Sequence, residues 1–326
     1  MTVLIVGAGI AGLMAARELR DRPYPVIVVE KSRGVGGRLA TRRLGEGQAD
    51  TGAQFFTART GAFQRHVIHW QAQGLVFVWS RGWSNGVGAP AEDGHPRYAV
   101  AGGMNALAKA LAQDLKVQLN SKISALSPVR DGWQVTDGEG RIFPCRAVLL
   151  TAPVPQSLTF LETGRAPVPA ADLDALREIR YAPCLAGLFR LDRPARFPEP
   201  GAVQEPGGQV SWAADNQRKG ISAGATVITV HGDPEFSRSY YNSPEADILG
   251  RLQAAVKPWL GDAVVVEAQL KRWRYARPLT AHSERCLLVG GVPPLAFAGD
   301  AFGEPRVEGA ALSGLAAAEA LAQVLR

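Results

Sequence analysis

The chain has 326 residues and a mean hydropathy of −0.03, room for about two domains that each bury a core. Its 36 Lys and Arg against 30 Asp and Glu leave a net charge of +6, yet no basic run is interleaved with aromatics, which excludes a nucleic-acid module and points to anionic small molecules. Cys145, Cys184 and Cys286 are widely spaced with no CxxC pair, and no run approaches the roughly 18 apolar residues of a membrane span, so the expectation is a cytoplasmic protein without disulfides, zinc or membrane contact.

Residues 3–6 are a short apolar run that predicts a strand; residues 10–20 carry apolar side chains at helical spacing, and 26–29 is a second, β-branched run. That is a strand, helix, strand unit: a parallel pair joined by a right-handed crossover. Three glycines interrupt the apolar opening, which also lacks a positive n-region and so argues against a signal peptide. They form Gly7-x-Gly9-x-x-Gly12. Gly7 allows the tight turn, Gly9 lets the backbone approach a pyrophosphate, and Gly12 lets the helix pack on the strand, while the helix start offers free N–H groups and a positive dipole end. Glu30, eighteen residues after Gly12, is placed to accept from ribose hydroxyls and to disfavour a 2′-phosphate there. The elements in register predict a dinucleotide site rather than an ordinary glycine turn. The loop alone does not separate FAD from NAD.

A second glycine loop follows, GVGGRLATRR at residues 34–43. Gly36-Gly37-Arg38 falls just past the ribose-binding acid, where the phosphates of an extended dinucleotide would pass and Arg38 would meet their charge. An exposed arginine-rich loop is the alternative reading. His66 and His69 stand three apart with no carboxylate beside them, the pattern of a solvated helix face rather than a metal pair. Residues 104–115 predict an amphipathic helix, 117–143 antiparallel strands turning at Asp137-Gly138, and 147–150 a buried strand. The stretch 153–278 holds most of the prolines, with strand-like pieces at 185–191 and 226–230 and helical pieces at 171–179 and 245–259. Residues 295–298 predict a last strand, leading through Gly299-Asp300 to a small-residue helix that opens at Val307-Glu308-Gly309-Ala310.

Gly36-Gly37-Arg38 with Arg43 resembles the second FAD motif of the flavin amine oxidase superfamily, and residues 299–314 resemble its third. ADTGAQFFTAR (49–59), AGGMNALAKAL (101–111), WRYARP (273–278) and RVEGAALSG (306–314) resemble the renalase family, particularly its bacterial members, across nearly the whole chain. The fold expected is α/β: a Rossmann-like FAD-binding domain of the GR2/amine oxidase type from residues 1–62, 100–155 and 279–326, with an inserted α+β substrate domain containing an antiparallel sheet from 63–99 and 156–278. The resemblance implies noncovalent FAD, held at Gly7, Gly9, Ile10, Ala11 and Gly12, at Glu30 and Lys31, and at Gly37 and Arg38. Gln54, Phe55 and Ile123 are further implied contacts. Asp300 would accept from a ribityl hydroxyl, and Val307, Glu308, Gly309 and Ala310 would aim a helix start at the flavin, stabilising negative charge on its reduced form.

The implied reaction is oxidation of the 2- and 6-dihydro isomers of NAD(P)H to NAD(P)+, with hydride passing to FAD and O2 reduced to H2O2. The implied partners are a dinucleotide and O2. His231, in ITVHGD, and Trp273 match positions near the flavin's substrate face, and Tyr275 shares Trp273's strand face by alternation. An aromatic wall there would stack the nicotinamide, and His231 would hydrogen-bond its carboxamide. No general base is expected, because an electron-rich dihydropyridine needs positioning rather than deprotonation. A core aromatic pair and an interior histidine are the plain alternatives. Lys271 stands where the resemblance leads one to expect histidine, and residues 182–224 carry almost no recognisable motif. A flavin oxidase acting on a small amine and a non-catalytic dinucleotide-binding or redox-sensing module therefore stay open, while the lack of a long apolar insertion counts against a carotenoid desaturase. The sequence is silent on oligomeric state.

Overall fold

The computed structural model describes residues 2–86 and 91–325. Two compact units divide the chain: Met1–Gly37, Ala108–Tyr181 and Pro278–Arg326 form one, and Arg38–Leu107 with Ala182–Arg277 the other.

The first unit is built on a six-stranded sheet in the order Leu287–Val289, Leu295–Phe297, Ala147–Leu150, Val3–Val6, Val26–Val29, Val117–Gln118. Every pair is parallel except the first. Val3–Val6 and Ala147–Leu150 are buried at each position, as parallel strands covered on both faces must be, and accordingly show no polar alternation. Val3–Val6 has the next strand in sequence on one side and a much later one on the other. Its carboxyl end is thus a topological switch point, and the Gly7–Gly12 loop leaves from there. Helices Ile10–Leu19 and Arg306–Val324 pack at backbone distance, since a Cβ on Gly314 would run into the Ala11 carbonyl. A three-stranded antiparallel sheet, Ile123–Val129, Gly132–Asp137 and Ile142–Cys145, completes this unit.

The second unit holds a five-stranded sheet in the order Ala202–Gly207, Val210–Asp215, Val227–Gly232, Tyr181–Leu191, Val265–Pro278. Its first three junctions are antiparallel, so side chains alternate between two faces. One face, with Leu185, Phe189, Ala213, Ile228 and Val230, joins Phe236, Ile248 and Leu252 in an apolar core. The other carries Trp212 directly opposite His231 and Ala214 opposite Thr229, so this is the face that can do chemistry. Two hairpins belong to the same unit, Thr41–Leu44 with Gly47–Asp50 and Val76–Trp83 with Ala91–Val100.

Several elements end where local chemistry dictates. The helix from Met104 stops at Ala112 rather than at 115, because Asp114 is left-handed at φ +63°. Within 117–143, Val117–Gln118 pairs in parallel with Val26–Val29, and Asn120 at φ +53° turns the chain before the antiparallel strands begin. The helical stretch 245–259 breaks into Glu245–Ala255 and Lys257–Leu260, since Pro258 has no N–H to continue the ladder. Residues 38–62 and 100–107 fall in the second unit and 156–181 and 278 in the first, which differs from the expected pieces 1–62, 100–155 and 279–326. Among the described residues, no helix is long and apolar enough to cross a membrane.

Candidate functional site

The glycines of the first unit separate into two kinds. Gly7 sits at φ +111°, and a Cβ on it would lie 2.6 Å from Thr151 Oγ1; a Cβ on Gly12 would collide with the Gly7 carbonyl. These two serve the fold. A Cβ on Gly9 would meet nothing within 4 Å, so the fold's packing does not require glycine there and the space beside it is open. A Cβ on Gly37 would lie 3.5 Å from Gly9 Cα, and the Gly36 N–H donates to the Ala8 carbonyl at 2.8 Å. The second glycine loop therefore closes on the first, and the two make one cradle.

The cradle's donors suit a pyrophosphate and a ribose. Helix Ile10–Leu19 starts at Gly9 with no side-chain cap, leaving first-turn N–H groups for an anion. Glu30 is buried, and its carboxylate accepts from Ala8 N at 2.9 Å and Ser32 N at 2.8 Å; each oxygen keeps a further lone-pair direction for a ribose hydroxyl. Lys31 is exposed, with Nζ 3.5 Å from Gln156 Oε1. Ile10 and Ala11 are buried in the helix start, whereas the Ile123 side chain packs in the core with Leu126 and Trp133. At the other end of this unit Asp300, Val307, Glu308 and Ala310 are buried. Ser313 Oγ accepts from Gly299 N at 2.8 Å and so ties the strand end to the last helix. Gly309 is required by the fold, because a Cβ there would strike the Glu304 carbonyl. These residues fit FAD. Gly9→Ala is expected to leave the apoprotein's melting temperature unchanged while flavin content falls several-fold, whereas Gly12→Ala is expected to lower both; thermal melts of apoprotein and flavin absorbance per chain check this.

In the second unit, residues 50–55 form a strap across the polar sheet face. Thr229 Oγ1 donates to the Asp50 carbonyl at 2.9 Å, and the Thr51 carbonyl accepts from Trp273 Nε1 at 2.8 Å and from His231 Nε2 at 3.2 Å. Because a carbonyl only accepts, His231 carries its proton on Nε2 and leaves Nδ1 bare. Burial lowers the His231 pKa to about 4, with the Lys219 charge acting in the same direction and the Thr51 carbonyl against it, so the ring is neutral at pH 7. Gln54 is buried, with Nε2 donating to the carbonyls of Asp50 at 2.7 Å and Gly52 at 3.1 Å.

One ion pair fixes both ends of the strap. Lys219 Nζ lies 2.6 Å from Asp50 Oδ2, both side chains fully buried, and also donates to the Gln54 carbonyl. Asp50 Oδ1 accepts from Thr41 Oγ1 at 2.6 Å and Met104 N at 2.8 Å. Burial pulls the Lys219 pKa down, and Asp50 opposes it. The Lys219 ammonium also stands 5.0 Å from the ring centre of Trp79, which belongs to an aromatic cluster with Phe55, Trp83 and Trp212. On the Val265–Pro278 strand, Lys271 Nζ lies 4.6 Å from the ring centre of Trp273, and Tyr275 is half-buried two residues on. Arg38 falls in this second unit, where its guanidinium donates to the Ala276 carbonyl at 3.2 Å.

The strap thus brings together His231, Trp273, Gln54 and Phe55 of the expected residues. Asp50, Thr51, Lys219 and Trp212 are additions. Lys219 has a sequence signal: it is one of seven lysines among 36 basic residues, a lysine where the composition favours arginine. A flexible stem bearing a compact ammonium fits a closed space that a planar guanidinium does not.

Comparison with known proteins agrees with both units. The family described as flavin containing amine oxidoreductase matches residues 71–322, and the NAD(P)-binding Rossmann-like domain matches residues 5–69. The flavin-dependent L-tryptophan oxidase RebO of Lentzea aerocolonigenes is 39% identical over 66 residues, 20% of this chain and 14% of that protein. The 1-hydroxycarotenoid 3,4-desaturase of Flavobacterium sp. (strain P99-3) is 44% identical over 54 residues, 17% of this chain and 11% of that protein. The chain's matches thus span a small part of these relatives' lengths. The structure of wild-type putrescine oxidase bound to putrescine superposes with a TM-score of 0.71 at 15% identity, covering 100% of both chains, a likeness of fold. With its family profile matched over most of its length and a cradle that suits FAD, the chain belongs to the flavin containing amine oxidoreductase family.

Proposed function

We propose that the chain is an FAD-dependent oxidase of the renalase type, converting 2- and 6-dihydro isomers of NAD(P)H to NAD(P)+ in the cytoplasm. The observation that carries this reading is the placement of two lysine ammonium groups. Lys219 stands over Trp79 and Lys271 over Trp273, so the aromatic faces that would attract a substrate ammonium already hold a cation. A substrate ammonium therefore finds these faces already taken, whereas a dinucleotide bearing a neutral ring has no need of them. The three cysteines are free, which suits a reducing compartment.

FAD, when bound, accepts hydride from the substrate and passes two electrons to O2, which with a solvent proton leaves as H2O2. The chain's own residues bind and orient. The Gly9 cradle and Glu30 would hold the pyrophosphate and ribose, and Asp300 the ribityl chain. Trp273, fixed at its N–H by the Thr51 carbonyl, gives the nicotinamide a rigid wall, and a neutral His231 is too weak a base to take a proton at pH 7.

Anaerobic mixing of the holoprotein with borohydride-treated NAD+, and separately with putrescine, tests the proposal. The expected result is bleaching of the flavin spectrum by the dihydronicotinamide isomers and none by the amine. Bleaching by the amine alone would replace this reading with amine oxidation, and bleaching by neither would make the chain a binding module.

A further inference from the structure

Three cations stand close to Trp273 on the strand Val265–Pro278, and alternation divides them between its two faces. Arg272 and Arg274 turn to the face that carries Leu270. There Arg272 donates to the carbonyls of Tyr241 at 3.1 Å and Ser243 at 2.9 Å, and the Arg274 guanidinium lies 5.1 Å from the ring centre of Tyr241. Lys271 shares the face of Trp273, with its ammonium 4.6 Å from the indole ring centre. Both side chains are half-buried, so solvent and a ligand reach them. Lys219 differs: it is fully buried and held by Asp50 and the Gln54 carbonyl.

The two neighbours differ in freedom. Trp273 is fixed, its N–H bound to the Thr51 carbonyl at 2.8 Å, whereas Lys271 carries its charge on a flexible four-carbon stem. A rigid ring with a movable cation beside it makes a two-part site, a flat surface for an aromatic ring and a counter-charge for whatever anion follows that ring. In a nicotinamide nucleotide the ring is followed by one ribose and then by the 5′-phosphate. Seating the ring against Trp273 therefore brings the phosphate to the sweep of the Lys271 stem. An ammonium meets phosphate oxygens as a point charge with three N–H donors and needs no fixed approach. A nucleoside that lacks the phosphate gains nothing from it.

We propose that Lys271 is a specificity-determining residue that binds the phosphate on the nicotinamide side of the substrate, so that the enzyme selects nicotinamide nucleotides over the phosphate-free nucleoside. This rests on the dihydronicotinamide reading above.

The test offers the holoprotein three borohydride-treated donors under anaerobic conditions, nicotinamide riboside, nicotinamide mononucleotide and NAD+, and follows the second-order rate of flavin bleaching. The mononucleotide is expected to react roughly tenfold to a hundredfold faster than the riboside, the worth of one charge-assisted hydrogen bond, with NAD+ close to the mononucleotide. Lys271→Met is expected to erase most of that step and Lys271→Arg to keep most of it, with flavin content as in wild type in both. Added salt is expected to shrink the step in the wild type and to change little in Lys271→Met. A wild type that takes riboside and mononucleotide equally, or a step that survives in Lys271→Met, overturns the Lys271 assignment and leaves the dihydronicotinamide reading standing. A step that appears only between mononucleotide and NAD+ overturns it as well, by moving the recognised phosphate to the adenosine side. Equal losses for all three donors in Lys271→Met overturn it in favour of a support for Trp273. If none of the three bleaches the wild-type flavin, both proposals fall.

Discussion

Replacing Lys219 with methionine is expected to destabilise the folded protein by about 3–5 kcal/mol, because it strands the Asp50 carboxylate where neither partner has any exposed side chain. The pair itself is not a large net source of stability: moving two charges out of water is costly, and attraction at 2.6 Å with good secondary hydrogen bonds only offsets that cost. What makes the single substitution severe is the charge left behind. Asp50 would keep Thr41 and Met104 as donors but lose its counter-ion, and the Gln54 carbonyl would lose its donor as well. Asp50→Leu with Lys219→Met removes both charges, and the pair is expected to cost less than the sum of its singles by more than 1 kcal/mol. Urea unfolding of the four proteins checks the cycle. Additive singles, each below about 1 kcal/mol, would mean that the strap is not held by this pair. The double variant also separates stability from alignment: if it is stable yet reduced more slowly by substrate, the ion pair is there to orient Thr51 and Gln54.

The Gly7–Gly12 loop and Glu30 were readable from sequence because every requirement there is local: a strand, a turn, a helix start and an acid within one crossover. The joining of Gly37 to Gly9 was only partly readable, since the spacing brings the second glycine loop near the phosphates but does not say which of its residues faces them. The strap lies beyond such reasoning. Asp50 meets Lys219 across 169 positions, and no period or composition shift couples them. Residues 182–224, which carry almost no recognisable motif, supply both Trp212 and Lys219, because a buried ion pair and an aromatic cluster need spatial partners and not a pattern. Domain limits were obscured for another reason. The chain changes unit inside the turn Gly37–Leu39, the helix Met104–Ala112 and the strands Tyr181–Leu191 and Val265–Pro278, so its breaks fall within elements rather than between them.

Acidification is expected to remove about 3 kcal/mol of stability between pH 6.5 and 4 through His231 alone. The folded-state pKa, about 4, lies below the value near 6.5 of a free imidazole, so the unfolded chain binds the extra proton first. The contribution is complete above pH 6.5 and is lost as pH falls toward 4. Burial is the main cause, and the nearby Lys219 charge adds to it. Carboxylates held low by neighbouring arginines, such as Asp137 and Asp192, lose their contribution only below the ordinary carboxylate range, and Asp215, raised by burial, favours the folded state on acidification, so the fall expected here is the histidine's. His231→Phe keeps the volume, has nothing to protonate, and leaves the Thr51 carbonyl satisfied by Trp273. Urea unfolding at pH 7.5 and 4.5 is expected to show a smaller fall for the variant, by roughly the same 3 kcal/mol. An equal fall in both proteins would place the acid sensitivity elsewhere. The same proton governs the chemistry: a ring neutral throughout the range above pH 6 makes substrate reduction of the flavin flat with pH there, whereas a rate climbing tenfold per unit through neutrality would require a base with a pKa well above that of His231.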